Sequence, residues 1–206
     1  FLLSILAGHN RYAHITSLMG DTVNTKLLGM TKVVSDDSAR RALWKIDEEE
    51  GIHWLQDQMA YCYTPLLSQP WILDADVTVK TLYGKQEGAV VGYNPHKSGR
   101  PSHTYHTYMI ANLRLILEVE VQDGDQSSAA YSAPGLWALL DRMPRTNWPT
   151  FIRGDCDWGN DTIMTEAEQR GIDYLFKLRK SPYVKKLILQ QHCKPGWQKT
   201  HAGWEA

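Results

Sequence analysis

Long apolar runs are absent from this sequence of 206 residues. A membrane-spanning helix needs roughly 20 consecutive apolar residues, and no stretch approaches that length. Phe1–Ala7 is apolar but lacks a basic leader and a cleavage pattern, so we interpret it as the end of a core helix and not as a signal peptide. With 43% hydrophobic and 22% charged residues, the composition predicts a soluble globular protein that has no membrane partner.

Cysteine is scarce, and the motifs of several enzyme classes are missing. The three cysteines are widely spaced and form no CxxC pair, which predicts reduced thiols in a cytoplasm. No glycine-rich phosphate loop, GxSxG elbow or Cys/His dyad with supporting context occurs. His103 and His106 are three residues apart, which on a strand directs them to opposite faces, so we expect no zinc site. We interpret His106 as a core or DNA-facing polar group.

A strong excess of one charge is also missing, because the formal net charge is -1. Two segments are nevertheless basic: between Lys80 and Arg114 five basic residues stand against Glu87 alone, and from Tyr174 to Thr200 there are seven and no acid. This pattern favours a polyanion bound on one face. Solvated lysines balanced by acids nearby in space are an equally open alternative. The basic residues are Lys80, Lys85, Lys97, Arg100 and Arg114, then Lys177, Arg179, Lys180, Lys185, Lys186, Lys194 and Lys199.

Residues 1–70 have the pattern of a helical region. Ser35, followed by two aspartates, predicts a capped helix start, and a second helix is expected over Ile52–Tyr61. The first helix carries basic residues outward, so it could be a DNA-reading helix. A packing helix is the favoured interpretation, because the acidic run Asp47–Glu50 would repel phosphate. The apolar stripe expected to be buried is Ala39, Ala42, Leu43 and Ile46.

From Trp71 the pattern changes to that of strands. Ile72–Leu82 alternates with period two, and His103–Ile110 with Leu113–Val121 predicts a hairpin. The faces expected inward are Leu73, Ala75, Val77 and Val79 on the first strand and Leu113, Leu115, Leu117, Val119 and Val121 on the last. The faces expected outward are Asp74, Asp76 and Thr78 on the first strand and Arg114, Glu118 and Glu120 on the last.

Two helices and two short strands are expected after Gly124. Ser132 is the predicted cap of a helix that ends before Pro144, and Thr150–Gly154 is the predicted next strand. A capped helix and the strand Tyr174–Leu178 follow. The sequence thus predicts an α/β fold, a mixed sheet of three antiparallel and two crossover strands covered by helices. The expected buried residues are Leu136, Trp137, Leu140 and Met143 in the first helix and Ile163, Met164 and Ala167 in the second, which Asn160 or Asp161 caps and Gly171 ends.

Two pairs of acids lie on or next to predicted core strands. Asp74 and Asp76 share a strand face, and Asp155 and Asp157 directly follow another strand. Buried carboxylates that lie close together need a compensating cation, and Mg²⁺ or Mn²⁺ prefers carboxylate oxygens. Two such ions can activate an attacking hydroxyl and stabilise the leaving oxygen of a phosphodiester. In the alternative, which stays open, Asp74 and Asp157 cap turns or pair with Arg153 and Lys80.

Several segments resemble bacterial insertion-sequence transposases of the DDE class, over nearly the whole chain. The segments are LDADVTVK at 73–80, LYG at 82–84, GYNPHKSGRPSH at 92–103 and RGDCDWG at 153–159, with Gly8-His9 and YLFKLR at 174–179. The resemblance implies a ribonuclease H-like fold in a bacterial cytoplasm, near the nucleoid. It implies catalytic metal ligands at Asp76 and Asp155, with Asp74 and Asp157 as possible secondary acids, and two Mg²⁺ or Mn²⁺ ions in the complete enzyme.

The resemblance also implies DNA as the partner and a dimer or higher oligomer on that DNA. Lys97, Arg100, Lys177 and Arg179 are the residues expected to contact phosphates. We divide the chain into a helical region with possible DNA contacts (1–70), a catalytic core (71–180) and the start of an incomplete insertion or C-terminal region (181–206).

The family's third acid, a Glu within a Tyr-x-x-Arg-x-x-x-Glu pattern, has no counterpart here. Glu166 and Glu168 come too early, and Glu205 lies in what resembles the start of the insertion. We therefore expect the chain to stop before its active site is complete, with weak metal binding and little or no strand transfer. A non-catalytic DNA-binding remnant and a ribonuclease H-like nuclease are the alternatives.

Overall fold

The computed structural model describes residues 2–68, 70–193, 199–201 and 204–205. The chain divides into two compact units, residues 1–58 and residues 59–206. Lys194 lies outside the described residues, as do the side chains of Lys199 and Glu205. No helix within the described ranges is long and apolar enough to cross a bilayer.

The first unit is helical and has a small core of Ile15, Val33 and Ala39. The predicted helix start at Ser35 is confirmed, because its side chain accepts a hydrogen bond from the backbone N–H of Ser38 at 3.3 Å. The helices are α1 (Leu2–Leu6), a 3-10 helix (Tyr12–Gly20), α2 (Thr22–Leu27), α3 (Asp36–Leu43) and α4 (Glu48–Tyr63), whose last residues belong to the second unit.

Some expectations for the first unit are wrong. Of the predicted stripe only Ala39 is buried, because α3 ends at Leu43 and the small core accommodates one of its side chains. The second long helix begins at Glu48, one turn earlier than predicted, and its acidic first turn suits the positive end of the helix dipole. Helix α1 forms and packs Leu3 against the small core, but Leu2, Ile5 and Leu6 are exposed, so only one face of it is a core face.

The second unit contains a sheet and its helices. Its strands are β1 (Ile72–Thr81), β2 (Val90–Val91), β3 (Pro101–Ile110), β4 (Leu115–Asp123), β5 (Phe151–Gly154), β6 (Asp173–Phe176), β7 (Lys199–His201) and β8 (Trp204–Glu205). Its helices are α5 (Ala129–Asp141), α6 (Asp161–Gln169) and α7 (Pro182–His192), with 3-10 helices at Thr64–Leu66 and Arg145–Asn147.

The sheet confirms the predicted fold class. The strand order is β2-β3-β1-β5-β6, with β4 also paired to β3 and with β7 and β8 forming a separate hairpin. Strand β3 is antiparallel to β1 and β4, whereas β1, β5 and β6 are parallel. Three antiparallel strands followed by two crossover strands, flanked by helices, form the ribonuclease H-like arrangement that the resemblance implies.

The main core lies on one face of this sheet. Leu73 of β1 pairs in register with Ile110 of β3 and Ile152 of β5, so these three side chains point to the same side. Buried side chains of α5 and α6, with Met143 just after α5, belong to the same cluster, as predicted for Leu136, Trp137, Leu140, Met143, Ile163 and Ala167, while Met164 is half-buried. The predicted helix end at Gly171 is confirmed by its positive φ of 60°.

Strand β4 departs from the predicted alternation. The pairing with β3 shifts at Leu117, which has no partner of its own and forms a β-bulge. Beyond the bulge the faces are exchanged: Val119 and Val121 are 41% and 56% exposed, and Glu118 and Glu120 turn inward. The prediction was therefore right for Leu115 and Leu117, wrong for the two valines and the two glutamates, and wrong for Leu113, which lies in the turn and is exposed.

Ser132 is not the cap of its helix. Helix α5 begins at Ala129, and Ser132 lies within it, fully buried. Its hydroxyl forms a short hydrogen bond with Nδ1 of His106, and its carbonyl accepts a 2.6 Å hydrogen bond from the Tyr108 hydroxyl. A distant carboxylate, that of Asp157, accepts a hydrogen bond from the Ala129 N–H instead, and no local pattern could predict that contact.

Candidate functional site

Asp76 and Asp155 lie next to the point where the parallel pairing of β1 with β5 ends, Asp76 in the middle of β1 and Asp155 directly after β5. The register pairs Asp74 with Arg153 and Ala75 with Gly154, so the next residue on each side is Asp76 and Asp155. Strand alternation directs the carboxylate of Asp76 to the sheet face opposite Leu73, and Asp155 lies in the turn directly after β5. Adjacent strands are roughly 4.8 Å apart, so the backbones at these two positions are close neighbours. This geometry connects two acids that are remote in the sequence.

The turn after β5 fixes Asp155. Its Oδ1 accepts a hydrogen bond from the backbone N–H of Asp157 at 2.9 Å, an arrangement typical of aspartate in turns. Gly154 precedes it because Trp158, which is almost fully buried, packs directly on the glycine Cα. Within the described ranges, no side chain forms a hydrogen bond or ion pair with the carboxylate of Asp76.

A cavity of about 450 Å³ opens beside these acids. The N-terminus of α5 forms one wall, and the end of β1 forms another. The charged and polar side chains that line it include Asp76, Asp155, Asp157, Tyr93, Ser128 and Arg179.

Asp157 lines the cavity but is engaged in structural contacts. Its Oδ2 accepts a 2.6 Å hydrogen bond from the N–H of Ala129, the first residue of α5, and Arg179 donates to its Oδ1 at 3.5 Å. A carboxylate at a helix N-terminus is stabilised by the helix dipole. Asp157 thus holds α5 and Arg179 at the edge of the cavity.

Asp74 lies apart from the cavity and pairs with Arg153. The guanidinium donates from Nε to Oδ1 and from Nη2 to Oδ2, both at 2.5 Å. This bidentate contact raises the pKa of Arg153 above its usual value. The pairing is the one that the sequence offered as the alternative to a metal role for Asp74.

The four basic residues expected at phosphates are found in different places. Arg179 lines the cavity. Lys97 and Arg100 lie over the ring of Tyr83, with Nζ of Lys97 at 5.0 Å and Cζ of Arg100 at 5.6 Å from the ring centroid. Lys177 follows β6 and is exposed. The structure therefore brings Asp76, Asp155, Asp157 and Arg179 together at one cavity, and it leaves Asp74, Lys97, Arg100 and Lys177 outside its lining.

Sequence patterns assigned no role to Tyr93 or Ser128. Tyr93 lies in a turn-rich loop without periodicity. Ser128 lines the cavity because the hydrogen bond from Ala129 to Asp157 holds the start of α5 there. The glycine and proline content of 92–101 is a signal for an ordered turn, but it does not show which residue faces the acids.

His103 and His106 do not line the cavity, and both rings make other contacts. His106 is fully buried and bonded to Ser132 and Thr104, and the ring of His103 bonds to the carbonyl of Glu87 at 2.6 Å. Across the described part of the chain, no three His, Cys, Asp or Glu side chains are grouped so as to hold a metal ion. Asp76 and Asp155 both line the cavity, and carboxylate oxygens are ligands that a hard divalent cation prefers.

Sequence comparison identifies a family. A family model described as "Transposase DDE domain group 1" matches residues 2–203. No curated protein matches the chain.

Structural comparison gives weaker likenesses. A pre-cleavage Mos1 transpososome is 11% identical with a TM-score of 0.36, over 94% of this chain and 68% of that chain. The catalytic core domain of BIV integrase is 13% identical with a TM-score of 0.36, over 60% of this chain. The match spans 65% of that integrase core and 37% of a chain in a simian T-cell lymphotropic virus intasome.

Proposed function

Because the chain belongs to the family of transposase DDE domains, group 1, we propose that it cleaves DNA at the ends of a mobile element and joins those ends to a target. The observation that supports this most directly is the register of β1 with β5, whose last pair, Ala75 with Gly154, directly precedes Asp76 and Asp155. Acidic side chains from two neighbouring strands are the arrangement that metal-dependent phosphodiester chemistry uses, and this register supports such a role for Asp76 and Asp155.

Asp76 and Asp155 would hold Mg²⁺ or Mn²⁺, two ions in the complete enzyme. The donor set fits, since both acids offer carboxylate oxygens at an open cavity and the carboxylate of Asp76 has no other partner in the described ranges. A bound ion of this kind supplies activation of the attacking hydroxyl and stabilisation of the leaving oxygen. Asp157 is the possible secondary acid at the cavity, and its contacts with α5 make it a positioning residue.

The charged groups around the cavity would orient the DNA backbone. The guanidinium of Arg179 is held beside Asp157 and can face a phosphate in the cavity, while Lys97, Arg100 and Lys177 would contact phosphates further along. We expect the protein to act as a dimer or higher oligomer on DNA in a bacterial cytoplasm. Two free carboxylates are fewer than the family's three, so this chain by itself should show little or no strand transfer.

The test is a cleavage assay in the intact protein, with element ends as substrate and Mg²⁺ or Mn²⁺ present. Asp76→Ala and Asp155→Ala should each abolish cleavage and leave DNA binding unchanged, because they remove a metal ligand and no phosphate contact. Asp173→Ala is the matched control, since Asp173 is an exposed acid at the opposite end of the parallel strands.

Retained cleavage in either variant would remove that residue from the mechanism. Salt-dependent DNA binding without cleavage by the wild-type protein under any metal would favour a non-catalytic remnant. Cleavage of generic ends without preference for the element's repeats would favour a processing nuclease.

A further inference from the structure

Two exposed tyrosines and two cations lie in the segments that follow β1, seven or more residues beyond Asp76. Tyr83 and Tyr93 are each 69% exposed. Lys97 and Arg100 lie beside the ring of Tyr83, yet most of that ring stays open to solvent. We call these four residues the tyrosine–cation patch. Exposed aromatic rings next to basic groups are typical of surfaces that stack unpaired bases and neutralise their phosphates.

The loop that carries three of these residues is held rigidly. Asn94 is almost fully buried; its Nδ2 donates to the hydroxyl of Thr81, and its Oδ1 accepts from the N–H groups of His96 and Lys97 at 3.1 and 2.9 Å. Thr81 is the last residue of β1. The loop is therefore fastened to the strand that positions Asp76, and binding would cost little ordering of the backbone.

Glycine contacts fix the other end of the loop. A side chain at Gly92 would collide with the backbone of Gly124 and Asp125, so this close approach requires glycine. Immediately after it, Tyr93 faces the cavity of Asp76 and Asp155. The loop thus places Tyr93 at the cavity of the acids. It also places Lys97 and Arg100 over the ring of Tyr83, which precedes the loop.

We propose that the tyrosine–cation patch binds unpaired DNA beside the scissile phosphate, with Tyr93 stacking on the base nearest the acids and Tyr83 on a base further along. Lys97 and Arg100 neutralise the phosphates between them. The inference rests on the proposed function, because it concerns the form of the DNA strand that would enter the same cavity. A duplex keeps its bases stacked inside the helix, so it leaves both rings unused and gains only the phosphate contacts.

The experiment measures binding of this chain to a single-stranded oligonucleotide that contains the fluorescent base 2-aminopurine, without metal. The wild type should quench the fluorescence and bind the single strand more tightly than a duplex of the same sequence. Tyr83→Ala and Tyr93→Ala should each weaken single-strand binding by about 5-fold to 100-fold and reduce quenching. Tyr83→Phe should preserve both, because stacking needs the ring and not the hydroxyl.

Tyr61→Ala is the matched control, since Tyr61 on α4 is 82% exposed and lies outside both basic segments, and it should bind as the wild type does. Lys97→Ala should reduce the slope of log affinity against log salt by about one. Equal binding and quenching in the wild type and both tyrosine-to-alanine variants would overturn the proposal, as would a wild-type preference for duplex. Either result would leave the test of Asp76 and Asp155 by cleavage unaffected, so the two proposals can fail separately.

Discussion

Gly154 shows how one missing side chain can position a functional group. A methyl group on this residue would lie 2.5 Å from the Trp158 side chain, which is almost fully buried and has no room to move. The close packing of Trp158 on Gly154 closes the turn in which Asp155 lies. The glycine therefore contributes to the site without touching the cavity.

Gly154→Ala should lower the free energy of unfolding by about 1–3 kcal/mol, because the added methyl overpacks the turn. Urea denaturation measures this change. Gly20→Ala is the control: no atom lies near a Cβ at that position, and the change should stay within about 0.5 kcal/mol. Equal effects of the two substitutions would contradict the role assigned to Trp158.

His106 makes stability depend on pH. Its ring is fully buried among Thr104, Ser132 and Tyr108, and burial lowers the pKa of the imidazole below its ordinary value of 6.5, while the carbonyl of Gln126 opposes that shift. The neutral ring is stable in the fold, and the unfolded chain takes up a proton first as pH falls. The stability from this residue is therefore complete above about pH 6.5 and is lost as pH falls towards the folded pKa.

We expect the melting temperature to fall between about pH 7.5 and pH 5.5 more steeply in the wild type than in His106→Gln, which has no titrating ring. Differential scanning calorimetry at several pH values tests this difference in slope. It is independent of any constant loss of stability in the variant. Parallel slopes would show that His106 does not carry the effect.

At the scale of elements, the bulge in β4 decides which residues are buried. Leu117 is almost fully buried, whereas Val119 and Val121 are exposed. Leu117→Ala should cost about 2–5 kcal/mol through the lost contacts and the cavity left behind. Val119→Thr and Val121→Thr should stay within about 0.5 kcal/mol of the wild type. Chemical denaturation of the three variants compares their losses of stability. A large loss in either valine variant would mean that the valines are buried and that β4 alternates without a bulge.

Elements with a local cause were predictable from sequence. The alternation of Ile72–Leu82, the cap at Ser35 and the stop at Gly171 each depend on neighbouring residues, and the structure confirms them. The bulge at Leu117 depends on the pairing with β3, and the start of α5 depends on a contact with Asp157, which is 28 residues from Ala129. Helix α7 was missed although Ser181 and Pro182 form a standard helix start, and its Ser181 cap is present.

At the scale of the whole molecule, the fold class followed from the order of the elements, but much of the site did not. The resemblance singled out Asp76 and Asp155, and the sheet register places them side by side. No periodicity could separate Asp74 from Asp76 on the same strand face. Their environments do so, because Arg153 on the neighbouring strand binds Asp74 alone.

Metal binding by the isolated chain tests how complete the site is. With two free carboxylates we expect weak affinity, and a dissociation constant of about 10 mM would give only about 0.4 kcal/mol of stabilisation at about 10 mM Mg²⁺. The melting temperature should then rise by about 1 °C, and the rise should vanish in Asp76→Ala. A rise of about 5 °C or more would show that the chain supplies a full ligand set.

The backbone hydrogen bonds between β1 and β5 set the distance between the backbones of the two acids. The separation of Asp76 and Asp155 is inherited from the interstrand spacing, so side chains elsewhere can vary without changing it. Lengthening any of the connections between these strands would leave the interval intact, whereas slipping the pairing by one residue would turn one carboxylate to the opposite side of the sheet.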